Sequence, residues 1–289
     1  MRFAKRRGIR IIIVIAVISL IITGGLLISG AMAEPYAHIA PDYPQINISH
    51  ILSSKQLTEE DYKILFYQTG LGKSSIDELR TESPDPVNAI LDFQKNFFKK
   101  INYVCESNSP ISREESVVDE NGNFTSGTEL APLHNGYILI TKSSHVFGWR
   151  NGHAAIIVDA GQGEALESAV LGTNSLVQQT DKWKNYPDFM IFRVKETSDE
   201  LLDEISKAAL KNLKNIPYDF TVGILSPKYE KPGEISGTQC SHLVWEAFML
   251  FGFDLDSDSG MIVTPKDIAN SPLLEVVQVY GVDPEDIWP

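Results

Sequence analysis

The run His153-Ala154-Ala155-Ile156-Ile157-Val158 constrains the fold of this chain more than any other segment. It is short, apolar and rich in β-branched residues, which marks a buried strand. Downstream, Leu243, Val244, Ala247, Phe248 and Phe251 recur at i+3, i+4, i+7, i+8 and i+11 from Cys240. That spacing is one face of an α-helix, and Cys240 lies on it. A helix that buries this face aims the Cys240 thiol at whatever it packs against. The strand therefore opens on an imidazole and the helix opens on a thiol.

The remaining signals set the order of elements. Thr58 with Asp61 starts a helix that Gly70 stops, and Asp85-Pro86 starts another that runs to about Ile101. Ser75 to Leu79 reads as a short helix between them. Glu106 to Glu129 is polar, carries Pro110, Gly122 and Gly127, and reads as a loop. Strands follow at Gly136–Thr141, His153–Val158, Glu164–Ala169 and Phe189–Val194, with Gly161 and Gly163 turning the second into the third. Thr197 with Glu200 forms a capping box for a helix to about Leu213. Thr264 to Ile268 is a short capped helix, and Val276 to Tyr280 is a last strand. Helices, then strands, then a helix and the Cys240 helix make an α+β protein. Its antiparallel sheet is expected to pack on the Cys-bearing helix, with a helical extension on the N-terminal side. The expected division is a leader over 1–33, a Pro-rich exposed linker over 34–54, the extension and polar loop over 55–129, and a catalytic domain over 130–289.

Arg2, Lys5, Arg6, Arg7 and Arg10 precede 23 uncharged residues, Ile11 to Ala33. This is the pattern of a signal peptide with a cleavage site at Ala31-Met32-Ala33, or of a membrane anchor. Gly24, Gly25 and Gly30 weaken the anchor reading. Positive charge stays inside, so both readings place residues from about Glu34 onward outside the cytoplasm, secreted or anchored at the outer face of the membrane by residues 11–33. The net charge is −13, and loss of the basic leader would make it more negative. Such a charge excludes nucleic acid as a partner and leaves the membrane only the N-terminal segment. Of the two cysteines, Cys105 lies before a polar loop and Cys240 starts a helix, so both are read as free thiols.

A thiol at a helix start has its thiolate stabilised by the helix dipole. A strand-borne histidine is the matching base. Alone, His153 reads as a strand-end structural residue and Cys240 as a small buried hydrophobe; together they occupy the positions a nucleophilic pair requires. Glu167, an acid among Ala165, Leu166, Ser168 and Ala169, is the expected group that orients the imidazole. Asp159 and Glu164 are the alternatives, and a solvated edge-strand position is the bland reading of Glu167. His242 lies about 200° round the helix from Cys240 and is excluded as the base. The turn Gly237-Thr238-Gln239 is expected to offer backbone N–H groups as an oxyanion hole. No histidine pair has the helical spacing of a zinc protease, so no metal and no cofactor is expected.

The pieces Gly136-Tyr137-Ile138-Leu139, Gly152 to Val158, Ala165-Leu166-Glu167-Ser168-Ala169, Ile216-Pro217-Tyr218-Asp219-Phe220 and Gln239 to Val244 together resemble a family. It is the permuted papain-like amidases, the YiiX-like group of circularly permuted relatives of NlpC-type cell-wall peptidases. His153 precedes Cys240 here, which is the permuted order. The resemblance spans about residues 130 to 275. It implies a papain-like fold with Cys240 as nucleophile, His153 as base and Glu167 as orienting residue. Tyr137 stands where such proteins often carry an acid, and the helical section before residue 130 has no counterpart in the minimal fold.

The expectation is an exported cysteine hydrolase of amide bonds in a peptide or acyl-amide. Peptidoglycan stems are the abundant amides outside a bacterial cell. Two rivals stay open. One is a lipid or ester acyl hydrolase or acyltransferase on the same fold, which would show an apolar channel beside Cys240. The other is a non-catalytic surface binding protein.

Overall fold

The computed structural model describes residues 2–33, 37–109, 111–232 and 234–288. Helix α1 covers Arg2–Ala33. Its residues from Ile11 to Ile22 are exposed wherever they are large and apolar. The side chains of 2–9, 26, 27 and 29–33, and so the Ala31-Met32-Ala33 motif, lie outside the described residues. Among the described residues no helix is long and apolar enough to cross a membrane.

The expected exposed linker is corrected. Residues 37–54 lie on the protein body, with Ala37, Ile48, Ile51 and Leu52 buried and a short helix, α2, over Ser49–Leu52. The Ile39 N–H donates to the Gly281 carbonyl at 2.9 Å, so backbone pairing as well as apolar contact holds this segment down. Helix α3, Glu59–Thr69, begins at a reciprocal capping box between Thr58 and Asp61. It ends at Gly70, whose φ of +71° suits glycine. Helices α4, Lys73–Glu82, and α5, Pro86–Phe97, follow. This helical section is tied into the sheet. Gly72 N–H donates to Val277 O at 2.8 Å and Val279 N–H to Gly70 O at 2.7 Å. Ile76, Ile90 and Phe97 share one core with the sheet residues Ile138, Ile156 and Val279.

Strand β1, Asn102–Ser107, leads into the polar stretch read as a loop, and β2, Ser112–Val118, lies within it. With β4, Ser144–Val146, they form a three-stranded antiparallel sheet in the order β1-β2-β4. Few of their side chains are apolar, so hydrophobic alternation does not announce them. The second sheet joins β3, Ile138–Thr141, β5, His153–Asp159, β6, Glu164–Glu167, β7, Leu176–Gln179, β8, Phe189–Val194, and β9, Leu274–Tyr280. Its order is β7-β6-β5-β3-β8-β9, and every pairing is antiparallel. A 3-10 turn over Thr180–Asn185 follows β7.

Helix α6, Asp199–Leu213, packs on β5, and α7, Cys240–Met249, packs on both. Helix α8 spans Pro265–Ala269. The cap of α6 is Ser198, one residue beyond the expected Thr197. The Thr197 hydroxyl instead donates to Lys195 O at 3.0 Å. The fold is α+β, with β5 near the sheet centre and Ala154 to Ile157 fully buried.

Candidate active site

His153 enters β5 from Gly152, whose φ is +76°. A Cβ there would lie 2.5 Å from the Trp288 ring and 2.6 Å from Thr141 O, so only glycine lets the strand start at this point. His153 is 5% exposed, and its imidazole stacks on Trp183 with ring centroids 5.7 Å apart and an interplanar angle of 17°. Tyr186 in turn meets Trp183 edge-on. Two aromatic rings thus hold the imidazole plane while β5 holds its backbone.

Cys240 is the first residue of α7 and is 8% exposed. The capping residue is Gln239. Its Oε1 accepts from the Ser241 N–H at 3.1 Å, and its amide nitrogen donates to Val263 O at 2.8 Å. The helix start is therefore anchored at the sulfur. The thiol donates to Gln239 Oε1 at 3.4 Å and lies close enough to the His153 ring for each group to shift the other's titration. His153 Nε2 donates to Glu167 Oε2 at 2.7 Å. Glu167 closes β6, an interior strand, and is fully buried, which sets aside the solvated-edge reading. The structure thus brings Cys240, His153 and Glu167 together in that order. Asp159 instead accepts from the Gln162 N–H in the turn after β5, at 3.0 Å. Glu164, at the far end of β6, is half-buried.

The electrostatics favour an ion pair. Burial opposes a charged imidazole, but the hydrogen bonds to Cys240 and Glu167 and their negative charges carry His153 up to about 9. Burial likewise opposes a thiolate. The hydrogen bond and charge of His153, with the N–H groups of Ala154 and Ser241, outweigh it and hold Cys240 below the ordinary thiol value. Glu167 is also held below its ordinary value against its burial, by His153 and Lys182.

Lys182 is a member of the site that the sequence did not announce. From the 3-10 turn it donates to Glu167 Oε2 at 2.6 Å and to Gln178 Oε1 at 2.9 Å. Trp183 is a second, and Tyr218 a third, close enough for the Cys240 charge to raise its phenol after the larger effect of burial. A lysine in a short charged turn carries no periodic or motif signal, so only the fold reveals Lys182. Tyr218 lies within the Ile216–Phe220 segment, whose pattern gives its phenol no role.

The expected oxyanion turn is corrected at Thr238, whose N–H donates to Pro217 O at 3.0 Å and is not free. His242 faces away from the site. Its Nε2 donates to Lys228 O at 2.6 Å, and Nδ1 meets the Thr238 hydroxyl at 3.0 Å. Both cysteines are unpaired, Cys105 exposed and Cys240 buried. A cleft of about 390 Å³ opens beside His153, with Glu114, Ser116, Ser144, Gln178, Lys182 and Tyr186 among its walls. Cys240 does not line it.

No family model matches the chain, and no curated protein matches it. Among solved structures it is similar to yiiX, a metalloprotein of Escherichia coli O157:H7 from DUF1105. The identity is 12% and the TM-score 0.38, over 50% of this chain and 97% of that one.

Proposed function

We propose that the protein is an exported cysteine hydrolase that cleaves an amide bond through Cys240, His153 and Glu167. The observation that carries this reading is the buried, continuous relay from the Cys240 thiol through the His153 ring to Glu167 Oε2. A thiolate–imidazolium pair supported by a carboxylate is the activated form of a cysteine nucleophile. Cys240 Sγ attacks the substrate carbonyl, and the His153 imidazolium gives its proton to the leaving amine. The thioester is then hydrolysed: water gives a proton to the neutral imidazole and attacks the carbonyl, releasing the acid and restoring the pair. Glu167 stays ionised throughout and holds the ring orientation.

The fold reading is a circularly permuted papain-like domain over 130–289, with the His strand ahead of the Cys helix. Glu114, Ser116, Gln178 and Lys182 on the cleft wall beside His153 supply hydrogen-bonding partners for the amides of a peptide. Export through the N-terminal segment makes peptidoglycan stems the expected amide.

An acyl-electrophile probe on the full chain tests the chemistry. The label should map to Cys240, vanish in Cys240→Ser and weaken in His153→Ala, where the helix dipole still favours thiolate. Label on Cys105 alone would overturn it. Parallel digestion of purified cell wall and of total lipid tests the substrate, and new amino groups should appear only from the wall.

A further inference from the structure

The three-stranded sheet has two chemically different faces. Cys105 and Glu115 are direct antiparallel partners, as are Arg113 and His145. Residues two apart on a strand share a face, so Cys105, Glu115 and His145 project from the same side. Glu114, Ser116 and Ser144 occupy the opposite side and line the cleft beside His153.

The three side chains converge. One donor atom from each of Cys105, Glu115 and His145 lies within 4.8 Å of the other two. His145 Nε2 is 3.2 Å from Glu115 Oε1, an ion-pair contact whose angles fall short of a hydrogen bond. Donors bound to one tetrahedral zinc ion at about 2.0 to 2.3 Å stand roughly 3.2 to 3.8 Å apart. The observed spacing is thus at or within about 1.5 Å of what an ion would impose. Cys105 is exposed, which leaves the thiol reachable and a fourth position open to water.

Arg150 is the group that opposes a cation here. Its guanidinium pairs with both Glu115 oxygens, NH1 with Oε2 closely and NH2 with Oε1 at 2.9 Å. Its charge also acts on the buried carboxyl of Asp188. Arg150 can keep Oε2 while Oε1 turns to an ion, as an outer partner that fixes a ligating carboxylate.

We propose that Cys105, Glu115 and His145 form a binding site for a divalent transition metal of zinc type, separate from Cys240. Thiolate, imidazole and carboxylate together match the ligand preferences of zinc and do not match those of magnesium or calcium. With an ion in place, β1, β2 and β4 are clamped together on the face behind the cleft wall. No histidine spacing along one helix marks the site, because its ligands come from three strands.

The test uses the full chain carrying Cys240→Ser, so that Cys105 is the one remaining thiol. Zinc titration by calorimetry should show one equivalent bound. Cobalt(II) alone should give a thiolate-to-metal charge-transfer band and the intense visible absorption of a tetrahedral ion. Adding Cys105→Ser should remove the charge-transfer band. It should also weaken zinc binding by more than the roughly 10- to 100-fold that loss of an outer partner costs. His145→Asn should weaken binding similarly, and zinc should raise Tm only when both ligands are present. Cys105 is exposed, so its serine variant tests the site without disturbing the core. Absence of stoichiometric binding, or equal zinc affinity with and without Cys105, would overturn the proposal.

Discussion

Replacing Glu167 with glutamine isolates what the buried carboxylate does. Its Oε2 lies 2.7 Å from His153 Nε2 and 2.6 Å from Lys182 Nζ. Opposite unit charges at such a distance attract by about 6 kcal/mol at an effective dielectric constant of ~20. Most of that is offset by desolvation, and a hydrogen bond to a charged group retains about 1.5 to 3 kcal/mol net. Glutamine keeps the shape and an acceptor but not the charge. His153 should therefore become less basic by about 1 to 2 pH units. The thiolate loses a supporting imidazolium, so the acid limb of Cys240 alkylation by iodoacetate should move to higher pH. The alkaline limb, where the imidazolium that attracts this anionic reagent deprotonates, should move to lower pH. The reactive window thus narrows from both sides. Lys182→Met is the opposite perturbation, because it leaves the whole Glu167 charge to the imidazole, and its alkaline limb should rise. Lys182 has a side chain 32% exposed and keeps Gln178, so in Glu167→Gln it can turn to solvent and the fold should persist. The assay is the pH dependence of alkylation in a Cys105→Ser background. If both variants keep the wild-type limbs, Glu167 is not electrostatically linked to the pair, and its role is packing alone.

Three further outcomes follow from the same geometry. Because His153 lies above its ordinary 6.5, at about 9, the native state holds this proton more tightly than the unfolded chain. The ring's contribution is full below about 6.5 and fades as pH rises, but in wild type the lowered Cys240 thiol contributes in the opposite sense and offsets it. Urea unfolding should therefore show the decline above about 6.5 in Cys240→Ser and not in Cys240→Ser with His153→Gln. Gly152→Ala forces a Cβ to 2.5 Å from Trp288 at a φ of +76° and should lower stability by more than about 1 kcal/mol, read as a fall in urea midpoint; a neutral effect would contradict the close approach. His242→Ala strips the partners of Thr238 and Lys228 and should cost about 1 to 3 kcal/mol of stability, while the alkylation rate of Cys240 in the folded protein stays near that of wild type.

Much of the fold was legible because it rests on local periodicity. The strand at His153, the helix at Cys240, the Thr58 and Thr264 caps and the Gly70 stop all follow from patterns a few residues long. The polar strands β1 and β2 were not legible, because pairing to β4 and to each other stabilises them more than any apolar alternation of their own. The same holds for residues 37–54, whose proline content suggests a linker, while Ile48 and Leu52 bury against a core that the sequence does not display.

By itself, the sequence determined that a thiol opens a helix and an imidazole opens a buried strand, since both statements concern neighbours along the chain. Only the tertiary structure decided that Glu167 faces His153 and that Trp183 stacks on the ring. The same is true of Lys182 sharing the carboxylate and of Cys105 facing Glu115 and His145. Those contacts join residues on different strands and turns. Their spacing is set by sheet register and by the crossing of α7 over β5, quantities that no run of residues encodes locally.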